Sequence, residues 1–175
     1  MMTLVTGGSK CGKSSYSESL FDHFSGRKIY IATMQPFGED ARSAISHHRI
    51  LRAGKGFETI ERYTDIDGLE LPENCAVLLE CAINLCANEM FYNREILDPT
   101  EKILRGFRHL KENSQELVIV TGSVGSDGIS YDGGTADYIR VLGELNRKTA
   151  ALADNVVECV YGIPVPLKGA LQCQC

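Results

Sequence analysis

A glycine-rich segment near the start of the chain leaves few folds open to it. An apolar run at residues 2–5 precedes the segment, and a helical pattern from Lys13 to about Phe24 follows it. Glycines in such a loop let successive backbone N–H groups turn towards a phosphate, and the first turn of the helix adds the positive end of its dipole. The segment matches G-x-x-x-x-G-K-[ST] in full and reads Gly7-Gly8-Ser9-Lys10-Cys11-Gly12-Lys13-Ser14. It predicts a phosphate-binding loop (P-loop) between a strand and a helix.

The motif assigns chemistry to two of its side chains and requires a carboxylate nearby. We expect Lys13 to reach the β and γ oxygens of a bound nucleotide, and the Ser14 hydroxyl to join the shell of a Mg²⁺ ion. Glu80 ends the apolar run at 77–79 and is the best candidate for holding the metal, directly or through a water molecule. The plainer alternative for Glu80 is a solvated residue at a strand end.

The rest of the chain alternates apolar runs with helical patterns. Continuous apolar strands separated by helices are typical of a parallel sheet covered on both faces, so the expected fold class is α/β, doubly wound, of the P-loop nucleotide-binding type. Ligands of such sheets bind beyond the carboxyl ends of the strands. Predicted strands lie at 2–5, 29–33, 57–61, 76–79, 117–120 and 156–163. Predicted helices lie at 13–24, 39–52, from Asp98-Pro99 onwards, and at 135–154.

Length and composition narrow the functional classes. At 175 residues we expect one domain over residues 1–169, followed by a short tail at 170–175. The net charge of −5 argues against a nucleic-acid partner, which needs a basic surface, and no apolar stretch is long enough to span a membrane. The odd count of seven cysteines favours reduced thiols and a cytoplasmic protein, with no secretory signal expected.

Two adjacent histidines lie in the predicted helix at 39–52. On a helical wheel, His48 shares a face with Ile45 and other apolar residues and reads as a packed histidine, whereas His47 points to the edge of that face, towards a cleft. Arg49 and Arg52 supply positive charge within a turn, as holding a phosphate beside an imidazole requires. A neutral imidazole is a competent nucleophile towards phosphorus, so His47 is a candidate catalytic residue. The alternative is a pair of structural histidines.

Taken together, these segments resemble the bifunctional adenosylcobinamide kinase / adenosylcobinamide-phosphate guanylyltransferase family of cobalamin biosynthesis. The resemblance covers nearly the whole chain. It rests on the opening LVTGG…GKS, the strand IYIAT, the helix segment Ile45-Ser46-His47-His48-Arg49…Arg52, the strand LLEC ending at Glu80-Cys81, the strand LVIVT, and the late Gly143…Asn146 helix.

The resemblance implies a two-step enzyme with a guanylylated histidine. A nucleoside triphosphate, ATP or GTP, phosphorylates the corrinoid adenosylcobinamide; GTP then guanylylates His47, and the corrinoid phosphate takes the GMP. The resemblance also implies a homotrimer. Besides the P-loop, it places nucleotide contacts on Thr33, Met34, His48, Arg49, Ile50, Leu51, Arg52, Glu61 and Glu80.

One segment departs from the family pattern. After the fourth strong strand the family usually shows Asn-Glu-Val-Gly, whereas this chain has Gly122-Ser123-Val124-Gly125. Two other functions therefore stay open at this point. One is a different small-molecule P-loop kinase, and the other is a non-catalytic protein that binds GTP without turnover.

Overall fold

A computed structural model describes residues 1–91, 98–125 and 128–170 of the chain. Within helix 38–52 it describes the backbone throughout, but not every side chain. The side chains left out are those of Asp40, Ala41, Ala44, His47, His48 and Leu51. The predicted tail at 170–175, apart from Ala170, lies outside the described residues.

The centre of the fold is a seven-stranded sheet in the order β3-β2-β4-β5-β1-β6-β7. Every neighbouring pair is parallel except β6 and β7, which are antiparallel. The strands are β1 Met2–Gly7, β2 Arg27–Ala32, β3 Phe57–Glu61, β4 Cys75–Glu80, β5 Glu116–Val120, β6 Asn155–Val160 and β7 Ile163–Lys168.

Helices cover both faces of the sheet, as the sequence predicts. Residues of β4 alternate between two apolar clusters: Val77 and Leu79 face one side, and Ala76 and Leu78 face the other. The first cluster includes side chains from α3, α4 and α5, and the second includes Phe21, which follows α1. The helices are α1 Lys13–Ser19, α2 Gly38–Arg52, α3 Ala82–Phe91, α4 Thr100–Glu112 and α5 Gly133–Leu152, with a short 3₁₀ helix at Ile66–Gly68. The α/β, mainly parallel fold class is confirmed.

Strand register brings the carboxyl ends of the parallel strands into one row. Ala32 at the end of β2 pairs with Glu61 on one side and with Glu80 on the other. Glu80 in turn pairs with Val120, which lies beside Val5 in β1. The P-loop follows β1 directly, so Glu80 and Glu61 lie on the same edge of the sheet as the loop.

The end of the chain differs from the prediction. The single strand predicted at 156–163 is wrong: the segment is a hairpin in which β6 stops at Val160, Tyr161 and Gly162 form the turn, and β7 returns antiparallel. Pro164 and Pro166 lie within β7. Proline has no N–H to donate and is tolerated on an edge strand, which is where β7 lies.

Helix boundaries differ in two further places. Helix α1 ends at Ser19, not near Phe24, and α3 was not predicted at all. The helix predicted from Asp98-Pro99 onwards is present, but Pro99 is its N-cap residue and Thr100 its first helical residue; the Asp98 carboxylate accepts a hydrogen bond from the Thr100 N–H at 3.0 Å. Within the described ranges, no helix has the length and apolar character needed to cross a membrane.

Candidate nucleotide-binding site

The P-loop adopts a conformation that its glycines make possible. Gly7 and Gly12 have φ angles of 138° and 95°, which side chains with a Cβ rarely adopt. A Cβ at Gly7 would lie 2.5 Å from the Cys159 carbonyl oxygen, and one at Gly12 would lie 3.1 Å from the Cα of Gly162. The loop is therefore confined on its outer side by the β6–β7 hairpin.

The hairpin turn also bonds to the loop directly. The Gly162 N–H donates to the Cys11 carbonyl oxygen at 2.9 Å. This contact joins residues near opposite ends of the sequence, and it fixes the middle of the loop by a backbone bond that no local motif encodes.

The Lys13 side chain lies against the start of the P-loop. Its ammonium group donates to the carbonyl oxygen of Gly7 at 3.1 Å and to that of Gly8. These bonds hold the charged end of the side chain against the loop, where the motif predicts contact with the terminal phosphates.

Ser14 and Glu80, the two residues predicted to hold a metal ion, lie in direct contact. The Ser14 hydroxyl donates to Oε1 of Glu80 at 2.5 Å, across the space between α1 and the end of β4. The second carboxylate oxygen, Oε2, accepts a hydrogen bond from the Tyr30 hydroxyl at 2.8 Å. Both oxygens of Glu80 are thus engaged, which fixes the orientation of the carboxylate.

Arg52 brings a buried positive charge to this group. Its side chain is 7% exposed, and the guanidinium carbon lies 3.4 Å from the centroid of the Tyr30 ring. Its Nη1 atom has no hydrogen-bond partner among the residues that the structure describes. Because a buried charge is costly unless an opposite charge meets it, this geometry favours an anion as the partner of Arg52.

Arg49 and Glu61 form a second polar group along the same cleft. Their side chains make an ion pair, and both are substantially exposed. The Tyr63 hydroxyl donates to the other oxygen of Glu61 at 2.9 Å. Glu61 thus ends β3 with its carboxylate anchored to α2.

Thr33 is expected from the sequence to contact the nucleotide, but in the structure it does not line the cleft. Its side chain is fully buried, and its hydroxyl donates to the Cys81 carbonyl oxygen at 2.8 Å and accepts from the Cys81 N–H at 2.7 Å. The Thr33 N–H also donates to the Glu80 carbonyl oxygen at 3.1 Å. Thr33 therefore joins the ends of β2 and β4 and supports the backbone that carries Glu80.

The P-loop, Glu80, Glu61 and the arginines of α2 line a cleft of about 960 Å³ at the carboxyl edge of the sheet. This volume is near the upper end of the range of about 300–1,000 Å³ that is usual for small-molecule sites. Helix α2 contributes Ser43, Ile45, Arg49 and Arg52 to its lining. The opposite wall comes from Ile83 and Asn84 of α3 and from residues 120–124 after β5.

Most predicted nucleotide contacts line this cleft. They are Gly7, Ser9, Lys10, Cys11, Gly12, Lys13, Ser14, Met34, Arg49, Arg52, Glu61 and Glu80. Gly8, Thr33 and Ile50 do not line it. The side chains of His47, His48 and Leu51 lie outside the described part of the structure. Ile45, which the helical wheel placed with the packed residues, lines the cleft, so the wheel alone does not decide which histidine faces the nucleotide.

Sequence analysis missed several residues of the cleft. Tyr30 lies inside an apolar run and carried no motif, although a buried tyrosine usually needs a partner for its hydroxyl, and that requirement was a usable signal. Asn84 belongs to the unpredicted helix α3, and Ser43 gave no signal. Thr59 of β3 also lines the cleft, and no sequence pattern connects it with the site.

Comparison with known proteins decides the family of this site. A family model described as cobinamide kinase / cobinamide phosphate guanyltransferase matches residues 3–167. The chain belongs to this family. It is 33% identical to the bifunctional adenosylcobalamin biosynthesis protein CobU of Escherichia coli (strain K12), over 96% of this chain and 100% of that protein.

Two further relatives carry corresponding names. The bifunctional adenosylcobalamin biosynthesis protein CobU of Salmonella typhimurium is 30% identical over 96% of this chain and its own full length. The protein CobP of Pseudomonas aeruginosa, with the same bifunctional description, is 26% identical over 97% of this chain and 98% of its own. The family identification made from sequence is confirmed, and with it the classes of enzyme, a kinase and a guanylyltransferase. The family match includes part or all of every strand of the sheet and all the residues that line the cleft.

Proposed function

We propose that this cleft carries both activities of the family: phosphorylation of adenosylcobinamide and transfer of GMP from GTP to the resulting phosphate. The observation that carries the proposal is the meeting of Lys13, the Ser14–Glu80 pair and the buried Arg52, whose Nη1 has no hydrogen-bond partner among the described residues, in one cleft. Phosphate chemistry needs cations aimed at the phosphate oxygens and a carboxylate for the metal, and this arrangement supplies both.

In the kinase step, the alcohol oxygen of adenosylcobinamide attacks the γ-phosphorus of ATP or GTP. A new P–O bond forms, the bond to the β,γ-bridging oxygen breaks, and the nucleoside diphosphate leaves while the alcohol proton is lost. Lys13 neutralises charge that develops on the β and γ oxygens, and the loop amides hold the phosphates in line. The acceptor has room to enter along the uncharged wall formed by Ile83, Asn84 and residues 120–124.

The donors in the cleft suit Mg²⁺. This ion prefers oxygen ligands and usually combines one or two protein oxygens with phosphate oxygens and waters. Among the described residues no three His, Cys, Asp or Glu side chains cluster as a metal site, which fits an ion held largely by the nucleotide. Ser14 and Glu80 would hold it, and its charge would offset that of the phosphates.

In the guanylyl step, we assign the nucleophile to His47. Its imidazole nitrogen attacks the α-phosphorus of GTP, a P–N bond forms, and pyrophosphate leaves. An oxygen of the corrinoid phosphate then attacks the same phosphorus, and the P–N bond breaks to give adenosylcobinamide-GDP and free imidazole. Arg49 and Arg52 lie on the same helix and line the cleft, where they can hold the phosphates during both transfers.

The proposal is tested with the unmodified protein and two labelled nucleotides. With γ-labelled ATP or GTP and Mg²⁺, label is expected on adenosylcobinamide. With α-labelled GTP, label is expected on the chain in an acid-labile form and then on the corrinoid when its phosphate is added. If phosphoryl transfer occurs but no α-label appears on the chain or the corrinoid, the protein is a kinase only. If GTP binds but neither transfer occurs, the proposal is wrong and the protein is a non-catalytic GTP-binding protein.

We propose that the protein is cytoplasmic. Among the described residues, five cysteines are free thiols: Cys11, Cys75, Cys81, Cys86 and Cys159. Reduced thiols are typical of the cytoplasm. Burial raises the pKa of Cys81, which lines the cleft, to about 11, so this thiol stays protonated beside the nucleotide.

We propose a homotrimer in which β7 contributes to subunit contacts. This edge strand exposes apolar side chains, with Ile163 66% and Leu167 59% exposed, and one of its sides has no strand partner in the sheet. Unpaired edges of this kind favour association with another chain.

The assembly can be checked by light scattering on a sizing column. We expect the unmodified protein to elute at three times the 19.2 kDa mass of one chain. Ile163→Asp with Leu167→Asp should shift it to the single-chain mass, since two charges would be buried without partners. Phe37→Asp replaces an exposed residue away from β7 and should keep the trimer. A double variant that stays trimeric would exclude β7 from the contact.

A further inference from the structure

We propose that Tyr30 is a positioning residue that couples the metal-binding carboxylate to the nucleotide-binding arginine. Its hydroxyl fixes Glu80, and its ring supports Arg52. The inference rests on the proposed function for the role of Glu80 towards Mg²⁺, and it adds a residue that acts through Glu80 and Arg52.

The hydroxyl contact controls one oxygen of the carboxylate. Oε2 of Glu80 accepts the Tyr30 hydrogen bond at 2.8 Å, which leaves Oε1 directed at Ser14 in the first turn of α1. The two hydrogen bonds together hold the Glu80 carboxylate in one orientation. Groups that orient a metal ligand in this way commonly affect metal affinity about 10- to 100-fold.

The ring contact controls the arginine. Tyr30 is 3% exposed, and its ring meets Phe57 nearly edge to face, with centroids 6.3 Å apart. Phe57 in turn meets Phe21 at 5.6 Å. These contacts make the ring a rigid support, and the guanidinium of Arg52 stacks on its face at 3.4 Å, while Nη1 has no hydrogen-bond partner in the part of the chain that the structure describes. The stack compensates part of the cost of burying the charge while leaving a donor for an anion.

Through these two contacts, the Tyr30 side chain connects the proposed metal-binding carboxylate with the proposed nucleotide-binding arginine. Glu80 lies at the end of β4, next to β2, and Arg52 lies in the last turn of α2. Tyr30 contacts both residues. For packing alone, phenylalanine would fill the same position in the buried strand segment Ile29-Tyr30-Ile31 equally well. The hydroxyl is thus the part of the residue that core packing does not require.

Three variants separate the two contacts. Tyr30→Phe removes only the bond to Glu80, Arg52→Gln removes only the stacked charge, and Tyr30→Leu removes both. Tyr138→Phe is the matched control, because it deletes a hydroxyl bond of 3.0 Å to the Ile83 carbonyl oxygen without touching Glu80 or Arg52. Two binding constants are measured for each: that of a non-hydrolysable GTP analogue without metal, by calorimetry, and that of Mn²⁺ for the protein–analogue complex, by electron paramagnetic resonance.

We expect Tyr30→Phe to weaken Mn²⁺ binding at least about tenfold while metal-free analogue binding stays unchanged. Arg52→Gln should do the opposite, with analogue binding about tenfold weaker and Mn²⁺ binding to the saturated complex unchanged. Tyr30→Leu, if folded, should show both losses. Tyr138→Phe should match the thermal stability of Tyr30→Phe and keep both constants.

Two results would overturn the inference in different ways. If Tyr30→Phe binds Mn²⁺ as the unmodified protein does, the coupling role is wrong and the proposed function stands. If the unmodified protein binds neither the analogue nor Mn²⁺ with it, the proposed function fails, and this role of Tyr30 fails with it.

Discussion

Replacement of Lys13 by alanine is expected to disable both transfer steps, lowering each rate about 10²- to 10³-fold. The ammonium group lies against the Gly7 and Gly8 carbonyl oxygens at the mouth of the loop, within the cleft that also holds Ser14 and Glu80. Without it, the ammonium group that the motif directs to the β and γ oxygens is missing while negative charge builds up on them during transfer. The measurement is the rate of γ-label transfer to adenosylcobinamide and of α-label transfer to the chain.

The control for this variant is another lysine. Lys148→Ala removes a cation that pairs with Glu101 and Glu144 on the outer surface of α4 and α5. A surface ion pair of this kind contributes little to the free energy of unfolding. Its rates should stay within about twofold of the unmodified protein. Thermal unfolding of Lys13→Ala should show that the fold is intact. Unaltered turnover in a folded Lys13→Ala protein would count against the P-loop as the phosphate site.

Replacement of His47 by alanine is expected to abolish the acid-labile label from α-labelled GTP while phosphoryl transfer continues. The two steps share the P-loop, but only the guanylyl step needs a nitrogen that forms a covalent bond to phosphorus. The measurement is a denaturing gel for the chain-bound label, with the kinase rate determined on the same sample. The kinase rate should stay within about tenfold of that of the unmodified protein, because the imidazole is not a reactant in that step.

His23→Ala is the matched control for loss of an imidazole. His23 is exposed and does not line the cleft, so its replacement should leave the label intact. Peptide mapping of the unmodified protein should place the label on the fragment with residue 47. A label that survives in His47→Ala and maps to His48 would move the nucleophile by one residue and leave the rest of the mechanism in place.

The sheet could be predicted from sequence because its strands are buried on both faces. Runs such as 76–79 and 117–120 are apolar without alternation, and a short apolar run between helical patterns has few other solutions. The hairpin at the end of the chain was not predictable in the same way. Pro164 and Pro166 argue against a strand unless it lies at an edge, and the position of an edge is a property of the whole sheet.

The site was predictable where its residues are local and not where they meet across the fold. Residues 7–14 form one loop, so their spacing encodes their geometry. The bond between Ser14 and Glu80 could be expected because both belong to a known arrangement of P-loop and neighbouring strand. Tyr30, 50 residues from Glu80 in sequence and bonded to it, follows no spacing rule, since its two contacts depend on sheet order and on where α2 ends.

The bond from the Gly162 N–H to the Cys11 carbonyl oxygen has a consequence for how the protein is made. Residues 7–14 leave the ribosome before the hairpin that contacts them, which is translated more than a hundred residues later. Domains generally fold as their chain emerges, from the N-terminal side onwards. Here the P-loop gains its bond to Gly162 only when β6 and β7 have been translated, so a nascent chain that stops before the hairpin carries the complete motif without this contact.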